Sequence, residues 1–207
     1  GLNVFPPTPL HRGELDEGAF TRILGRLQHT AVQAITLFGP TGAGPYLTRA
    51  QRLQALTLAR DLMDEVPFHV GVGALTTRAV LEHVDDAASN GACAILLPAM
   101  SYQPLREAEV IALFQRVSEH SELPIVVYDN PTTTGVRFTL EMYARVAALP
   151  AVRSIKIPAL PNDSEVAAAR VRQLREVIPE RVSVGISGDA AAAAGLAAGC
   201  DGWYSVI

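Results

Sequence analysis

Lysine is almost absent from this chain. Of its 17 basic residues, 16 are arginine and only Lys156 is lysine. A GC-rich genome also produces an arginine bias, and the abundant alanine points the same way. Even so, Lys156 is the one lysine that remains in a lysine-poor chain, and we therefore consider it a candidate reactive amine.

Cysteine is equally scarce, with only Cys93 and Cys200. Both are isolated among apolar neighbours, so we expect two reduced core cysteines and no disulfide. No apolar run approaches the length of a membrane span. Pro6, Pro7 and Pro9 interrupt any apolar segment that a signal peptide would need. We therefore expect a cytoplasmic protein without membrane contact.

Excess positive charge is absent as well. The formal net charge is -4 at pH 7 and the basic residues do not cluster, which argues against nucleic acid as a partner. Hydrophobic residues make up 49% of the chain and charged residues 18%, as in a well-packed enzyme with one sizeable core. We expect a single domain over residues 1–207.

Eight short β-rich segments alternate with seven segments of helical periodicity. The sequence predicts strands at 4–8, 33–37, 68–72, 94–97, 124–128, 153–157, 182–186 and 202–206, and helices at 16–30, 48–65, 76–90, 107–122, 139–148, 163–178 and 190–198. Helix N-caps are expected at Thr48, Thr76, Thr139 and Asp163, and C-terminal glycines at Gly91 and Gly199.

This alternation predicts parallel βαβ units, and eight of them predict an α/β fold of the closed (β/α)8 TIM barrel type. The alternative is a doubly wound open sheet, which carries a glycine-rich nucleotide loop after its first strand. The sequence has Pro7-Thr8-Pro9-Leu10 at that place. Because the sequence ends with the eighth strand, we expect a barrel that lacks its closing helix.

Reactive groups in such barrels lie at the carboxyl ends of the strands. No histidine is expected there, which argues against a zinc aldolase and a Ser-His-Asp hydrolase. We expect neither a metal nor a cofactor. If Ile155 and Ile157 face the helices, Lys156 faces the barrel interior, where desolvation lowers its pKa and favours the nucleophilic neutral amine. Alternatively, the side chain extends from the strand end to solvent.

Other residues at these strand ends have two interpretations each. The Tyr128 hydroxyl could transfer protons, or its ring could only cap the barrel. Thr41, in the turn Gly39-Pro40-Thr41-Gly42, could bind a carboxylate or simply form a turn. The Gly188 turn could bind phosphate or carboxylate, or could only place Asp189 as an N-cap. Tyr204 could wall a substrate pocket or fill the barrel top.

Together these residues resemble the dihydrodipicolinate synthase / N-acetylneuraminate lyase family of class I aldolases. The resemblance rests on the order and spacing of seven segments: Thr8-Pro9, Gly39-Pro40-Thr41-Gly42, Gly71-Val72-Gly73, Tyr128-Asp129-Asn130-Pro131, Ser154-Ile155-Lys156, Ser187-Gly188-Asp189 and the stretch 201–206.

The resemblance implies a role for each matching residue. It implies that Lys156 forms an imine with pyruvate or another 2-keto acid, and that Tyr128 transfers the protons. It implies a carboxylate site made of the Thr41 hydroxyl and the amides of Thr41 and Gly42. It also implies a homotetramer or homodimer in which a tyrosine, here Tyr102, reaches the active site of a neighbouring subunit.

Two departures from the family pattern bear on the substrate. Pro40 stands where the family's turn has its first hydroxyl residue. Thr133 stands where dihydrodipicolinate synthases have an arginine that holds a substrate carboxylate. We therefore expect a lyase for a keto acid and an aldehyde, first of all a 2-keto-3-deoxy sugar-acid aldolase or dehydratase. The alternatives are a 4-hydroxy-tetrahydrodipicolinate synthase, a non-catalytic keto-acid-binding barrel, which Pro40 and Ala43 favour, and a phosphate-binding barrel isomerase.

Overall fold

Eight parallel strands form a closed barrel, which confirms the predicted fold class. In the computed structural model, which describes residues 1–161 and 163–206, the strands are β1 Leu2–Val4, β2 Ala34–Leu37, β3 Phe68–Gly71, β4 Ala94–Pro98, β5 Ile125–Tyr128, β6 Val152–Ile157, β7 Ser183–Ser187 and β8 Gly202–Ser205. Each strand pairs with its sequence neighbour, and β1 closes the barrel by pairing with both β2 and β8.

Seven helices surround the barrel, as the periodicity predicts. They are α1 Glu17–Gln28, α2 Arg49–Leu62, α3 Thr77–Ser89, α4 Glu107–His120, α5 Leu140–Ala147, α6 Ser164–Val177 and α7 Ala192–Ala197. The four predicted N-caps are confirmed, because each of these side chains accepts a hydrogen bond from the first turn of its helix. Gly91 and Gly199 follow α3 and α7 with φ of 83° and 103°, which only glycine adopts readily.

The predicted position of the first strand is wrong. The sequence pattern predicts a strand at 4–8, but β1 is Leu2–Val4. Pro6 and Pro7 explain the difference, since proline has no N–H with which to extend a sheet. Phe5 makes the last ladder contact, donating its N–H to the Ser205 carbonyl at 2.9 Å.

Two short helical segments lie in loops that the sequence pattern leaves open. One is the 3-10 turn Gly44–Tyr46, and the other is the helical turn Pro131–Thr134 after β5. A small hairpin, Leu10–His11 with Glu14–Leu15, follows β1. The first two segments lie at the carboxyl end of the barrel, where they shape the candidate site.

The core has two layers. The larger layer lies between the strands and the helices and includes Ile155 and Ile157. The smaller layer fills the barrel interior with five buried side chains: Phe5, Leu96, Val126, Tyr128 and Tyr204. Strand side chains alternate between the two faces. Lys156, between Ile155 and Ile157, and Val126, between Ile125 and Val127, therefore face inward.

Candidate active site

Lys156 lies inside the barrel on β6, as strand alternation predicts. Its neighbours Ile155 and Ile157 pack in the outer layer, and Lys156 itself is only 5% exposed. The side chain therefore does not extend to bulk solvent.

The Lys156 amine is surrounded by aromatic rings. Its Nζ lies 5.1 Å from the centre of the Phe5 ring and 4.6 Å from the centre of the Tyr128 ring. Burial lowers the pKa of Lys156 to about 8, although the charges of Asp129 and Asp189 oppose that effect. Burial therefore makes the neutral amine, the form that attacks a carbonyl, more accessible than in an exposed lysine.

Tyr128 is adjacent to Lys156 because β5 and β6 pair with these two residues in register. After β5, the helical turn Pro131–Thr134 brings the chain back over the phenol. The Tyr128 hydroxyl lies 3.3 Å from the Thr133 hydroxyl, and Asn130 Nδ2 donates a hydrogen bond to it at 3.1 Å. Thr133 in turn donates to the Asn130 carbonyl at 3.2 Å.

These contacts form a directed chain of hydrogen bonds. Since the Thr133 hydrogen points to the Asn130 carbonyl, the Thr133 oxygen can accept a hydrogen bond from the Tyr128 hydroxyl. Asn130 Nδ2 can meanwhile stabilise a phenolate, because a hydrogen bond to a charged form favours that form. Thr133 thus supplies a hydroxyl partner to Tyr128, although Pro40 carries none.

The turn Gly39-Pro40-Thr41-Gly42 lies across the barrel mouth from Tyr128. Pro40 and Thr41 line the same cavity as Lys156. Gly42 is buried behind them, and a Cβ there would come within 3.0 Å of the Phe38 backbone nitrogen and 3.1 Å of the Pro6 carbonyl oxygen. Glycine at this position therefore allows the turn to pack against the chain after β1 and β2.

A cavity of about 470 Å³ opens above Lys156. Its lining includes hydroxyl and amide side chains from the loops after β2 and β5 and from the end of β7: Thr41, Asn130, Thr132 and Ser187. Gly188 also lines it, with φ of 86°, and a Cβ at this glycine would come within 3.1 Å of the Ala159 Cβ. Lys156 is the only cationic side chain that lines this cavity among the residues described.

A second cavity of about 220 Å³ lies on the other side of Tyr128. It shares Pro40 and Tyr128 with the first cavity and contains Thr133. Its remaining walls are largely apolar, with Phe38, Leu96, Pro98 and Met100 among them. Tyr128 therefore lies between the two cavities and lines both.

Tyr204 lies within the barrel, away from the lining of the Lys156 cavity. Its ring covers Gly185, where a Cβ would overlap it, and its hydroxyl hydrogen-bonds Ser154 at 2.8 Å. Ser154 precedes Lys156 by one inward-facing position on β6. Tyr204 therefore packs beneath Lys156, where burial raises its pKa to about 12.

Tyr102 is 89% exposed in the loop after β4. It belongs to neither cavity of its own chain. Its contact with a neighbouring subunit stays a prediction.

The Asp189 carboxylate accepts hydrogen bonds from Trp203 Nε1 at 3.1 Å and from the Val206 N–H at 3.4 Å. It thereby ties the loop after β7 to β8.

The two cysteines differ from each other. Cys200 is buried, as predicted, and burial raises its pKa to about 11. The prediction that Cys93 lies in the core is wrong, because Cys93 is exposed at the start of β4. Its flanking residues Ala92 and Ala94 are buried, whereas Cys93 itself is exposed.

Asp129 and Phe5 are the residues near the site whose positions sequence reasoning missed. Asp129 points away from the cavity into the helical layer, where Tyr143 donates a hydrogen bond to it. The sequence does contain a signal for this direction: Asp129 follows Tyr128, which faces inward, so alternation predicts that Asp129 faces outward. Phe5, whose N–H continues the β1 ladder, lies in the barrel interior beside Lys156, and no sequence signal marks that contact.

No three histidine, cysteine or acidic side chains come together to hold a metal ion in the part of the chain that the structure describes. Within the same residues, no helix is long and apolar enough to cross a membrane.

Comparison with known proteins agrees with this geometry. The model of the dihydrodipicolinate synthetase family matches residues 1–207. The chain is 28% identical over 208 aligned residues to a 4-hydroxy-tetrahydrodipicolinate synthase of Macrococcus caseolyticus, covering all of this chain and 68% of that protein. It is 31% identical over 149 residues to a protein of the same name from Fervidobacterium nodosum, covering 72% of this chain and 51% of that protein.

A crystal structure of dihydrodipicolinate synthase from Agrobacterium tumefaciens is also similar. It superimposes on the whole of this chain with a TM-score of 0.94 and 37% identity, over 69% of its own length. The chain thus spans about half to two thirds of the length of the curated and solved proteins it matches.

Proposed function

Because this chain belongs to the dihydrodipicolinate synthetase family, we propose that the protein is a lyase in which Lys156 binds pyruvate or a larger 2-keto acid as an imine. Family membership confirms the resemblance drawn from the sequence motifs and the class it implies, the Schiff-base lyases of this family. The roles of the individual residues and the substrate are proposals, and the observation that carries them is the Lys156 amine, buried beside the Tyr128 ring inside the barrel.

Imine formation begins with the neutral Lys156 amine. Nζ attacks C2 of the keto acid and forms a carbinolamine. Tyr128 donates its proton to the departing hydroxyl group, which leaves as water and creates an iminium ion between Nζ and C2. The resulting phenolate accepts the hydrogen bond from Asn130 Nδ2.

Carbon–carbon cleavage uses the same phenolate. The Tyr128 oxygen accepts the proton of the C4 hydroxyl, the C3–C4 bond breaks, and the aldehyde leaves. The electron pair of the broken bond forms the C2–C3 enamine and neutralises the nitrogen. Tyr128 then returns the proton to C3. Water hydrolyses the iminium to release pyruvate and the free amine, and the phenolate takes up the proton that this hydrolysis sets free.

The turn that contains Thr41 is the proposed site of the keto-acid carboxylate. Thr41 lines the Lys156 cavity, and its hydroxyl and amide are suitable donors. The Gly42 amide is the second donor proposed. Pro40 contributes no amide hydrogen, so this site has one backbone donor fewer than a turn with a hydroxyl residue at that position.

For the second substrate we propose an uncharged hydroxylated aldehyde, which makes the substrate a 2-keto-3-deoxy sugar acid. The cavity above Lys156 offers hydroxyls and amides, and its described lining contains no cation besides Lys156. Thr133, which stands where dihydrodipicolinate synthases have a carboxylate-binding arginine, lines the second cavity. Loss of a C4 hydroxyl as water, in place of C3–C4 cleavage, would make the same site a dehydratase.

A 4-hydroxy-tetrahydrodipicolinate synthase is the second candidate, because that is the name of the curated relatives. Such an enzyme must bind an aldehyde with its own carboxylate, for which a guanidinium is the preferred partner. The non-catalytic barrel is the third candidate. Pro40 favours it, and the hydrogen bond between Tyr128 and Thr133 counts against it.

A competition between aldehydes distinguishes these candidates. The protein is incubated with pyruvate and either glyceraldehyde or aspartate semialdehyde, and product formation is followed in both directions. We expect turnover with the hydroxylated aldehyde and its 2-keto-3-deoxy product. In the Thr133→Arg variant we expect kcat/KM for aspartate semialdehyde, divided by kcat/KM for glyceraldehyde, to rise by about tenfold or more. The reason is that the new guanidinium can pair with the carboxylate of aspartate semialdehyde. Faster turnover of aspartate semialdehyde by the unmodified protein would contradict the substrate assignment.

A further inference from the structure

A single carboxyl group is buried directly behind the site. Asp129 is 5% exposed, and its N–H donates to the Lys156 carbonyl at 3.0 Å. Tyr128 faces the barrel interior, so Asp129, the next residue, faces the helical layer on the other side of the same strand end. Asp129 and Lys156 are therefore held on adjacent backbone segments but on opposite faces of the barrel wall.

Only one of the two carboxyl oxygens of Asp129 takes part in a hydrogen bond among the described residues. Tyr143 of α5 donates a hydrogen bond to Oδ2. Oδ1 is buried and has no hydrogen-bond partner among the described residues. A buried acceptor without a partner carries a free-energy cost of about 1–3 kcal/mol, more when it is charged. A fold retains such a group at that cost when it has a function or when another charge offsets the cost.

The charges that face Asp129 are all positive. Arg170 of α6 lines the cavity of about 250 Å³ into which the Asp129 and Tyr143 side chains project. Burial raises the pKa of Asp129. The hydrogen bond from Tyr143 opposes that effect, and so do the charges of Arg170, of Lys156 through the wall and of Arg137 from the segment before α5. The Tyr143 phenol, the only other titratable group in contact among the described residues, keeps its proton because burial and the Asp129 charge raise its pKa.

We propose that Asp129 is the buried counter-charge of Lys156: it stabilises the protonated amine through the barrel wall and thereby sets the pH range in which Lys156 reacts. This inference rests on the proposed imine chemistry of Lys156. Asp129 lines neither substrate cavity. It therefore acts on Lys156 through its charge and is a positioning residue, not a catalytic one.

Two features explain why Asp129 performs this role in preference to Asp189, the other acid that acts on Lys156. Asp129 is buried, and interactions between charges are stronger where water is excluded. Asp189 is exposed, and its carboxylate is already engaged by Trp203 and Val206. Of the two, Asp129 has the larger effect on the pKa of Lys156.

The test measures the rate of borohydride trapping with pyruvate as a function of pH. The isosteric Asp129→Asn variant keeps an acceptor for Tyr143 but removes the charge. We expect the midpoint of its profile to move to lower pH by about half a unit or more, because the protonated amine loses its stabilising partner. The control is Glu141→Gln, which removes an exposed carboxylate from the same helix as Tyr143 and should leave the midpoint unchanged.

An unchanged midpoint in a folded Asp129→Asn protein, or a shift to higher pH, would overturn the inference. Failure of the unmodified protein to form any adduct would instead overturn the proposed function. A second measurement does not depend on imine formation or on the folding of Asp129→Asn. In the Lys156→Met variant, the assigned ¹³C carboxyl signal of Asp129 should titrate at higher pH than in the unmodified protein, because coupling between two charges is reciprocal. An unchanged titration would overturn the inference independently.

Discussion

The amine nitrogen of Lys156 lies 4.6 Å from the centre of the Tyr128 ring. The two residues are partners in the β5–β6 register, so the barrel itself brings the nucleophile and the proposed proton donor together. A ring face also attracts a cation by about 0.5–2 kcal/mol, which partly offsets the desolvation of the protonated amine. The site thus holds an amine that is buried, partly neutral and next to a phenol.

Replacement of Tyr128 by phenylalanine separates binding from proton transfer. Phenylalanine keeps the ring above Lys156 but removes the hydroxyl, so we expect kcat to fall by about 10²- to 10⁴-fold. Imine formation should persist at a reduced rate, measured by borohydride trapping. A Tyr128→Phe variant with unaltered kcat would show that another group transfers the protons.

Thr133 should matter through its hydroxyl. Thr133→Val removes the oxygen that lies 3.3 Å from the Tyr128 hydroxyl, and we expect kcat to fall by about tenfold, a loss equivalent to one modest hydrogen bond. Thr133→Ser restores the hydroxyl and should recover most of that activity. Equal activity of the valine and serine variants would remove Thr133 from the proposed relay.

The stability of the protein should depend on the charge of Lys156. Its pKa falls from 10.5 in the unfolded chain to about 8 in the folded protein, so the unfolded state binds more protons between these values. The free energy of unfolding should therefore rise with pH across that window, by about 3 kcal/mol at most. Lys156→Met removes this contribution.

Urea unfolding of the unmodified protein and of the Lys156→Met variant, at pH values of about 7, 9 and 10.5, measures the difference between their free energies of unfolding. The methionine variant should be the more stable protein at neutral pH, and the gap should narrow as the pH rises. A gap that stays constant with pH would mean that the Lys156 amine is not desolvated in the folded protein.

Tyr204 is expected to act on stability and not on substrate binding. Its hydroxyl bonds Ser154 in the barrel interior, so Tyr204→Phe should lower the free energy of unfolding by about 1 kcal/mol. KM for pyruvate should not change. A rise in KM with unaltered stability would instead support the direct contact with substrate that the sequence pattern leaves open.

The order of the elements is predictable because apolar periodicity reports burial directly. All eight strands and seven helices follow from it, and strand alternation alone orients Lys156. The first strand is misplaced because Phe5-Pro6-Pro7 is apolar without being extended sheet. The apolar neighbours of Cys93 are misleading as well, because Ala92 and Ala94 are buried while Cys93, in the turn before β4, is exposed.

The contacts within the site are less predictable because they depend on loop geometry. Thr133 meets Tyr128 only through the helical turn Pro131–Thr134, which no periodicity reveals in four residues. The direction of Tyr204 depends on the space above Gly185. Strand alternation predicts that Asp129 faces away from the barrel interior, but its partner Tyr143 lies on a different element.

The location of the trapped imine tests the central claim most directly. Lys156 is the only lysine in the sequence, so the protein is treated with pyruvate and borohydride, digested, and mapped by mass spectrometry. We expect one reduced pyruvyl group on the peptide that contains Lys156, and none in the Lys156→Met variant. A folded protein that forms no adduct, or that carries it at another amine in both proteins, would contradict the assignment of Lys156 as the nucleophile.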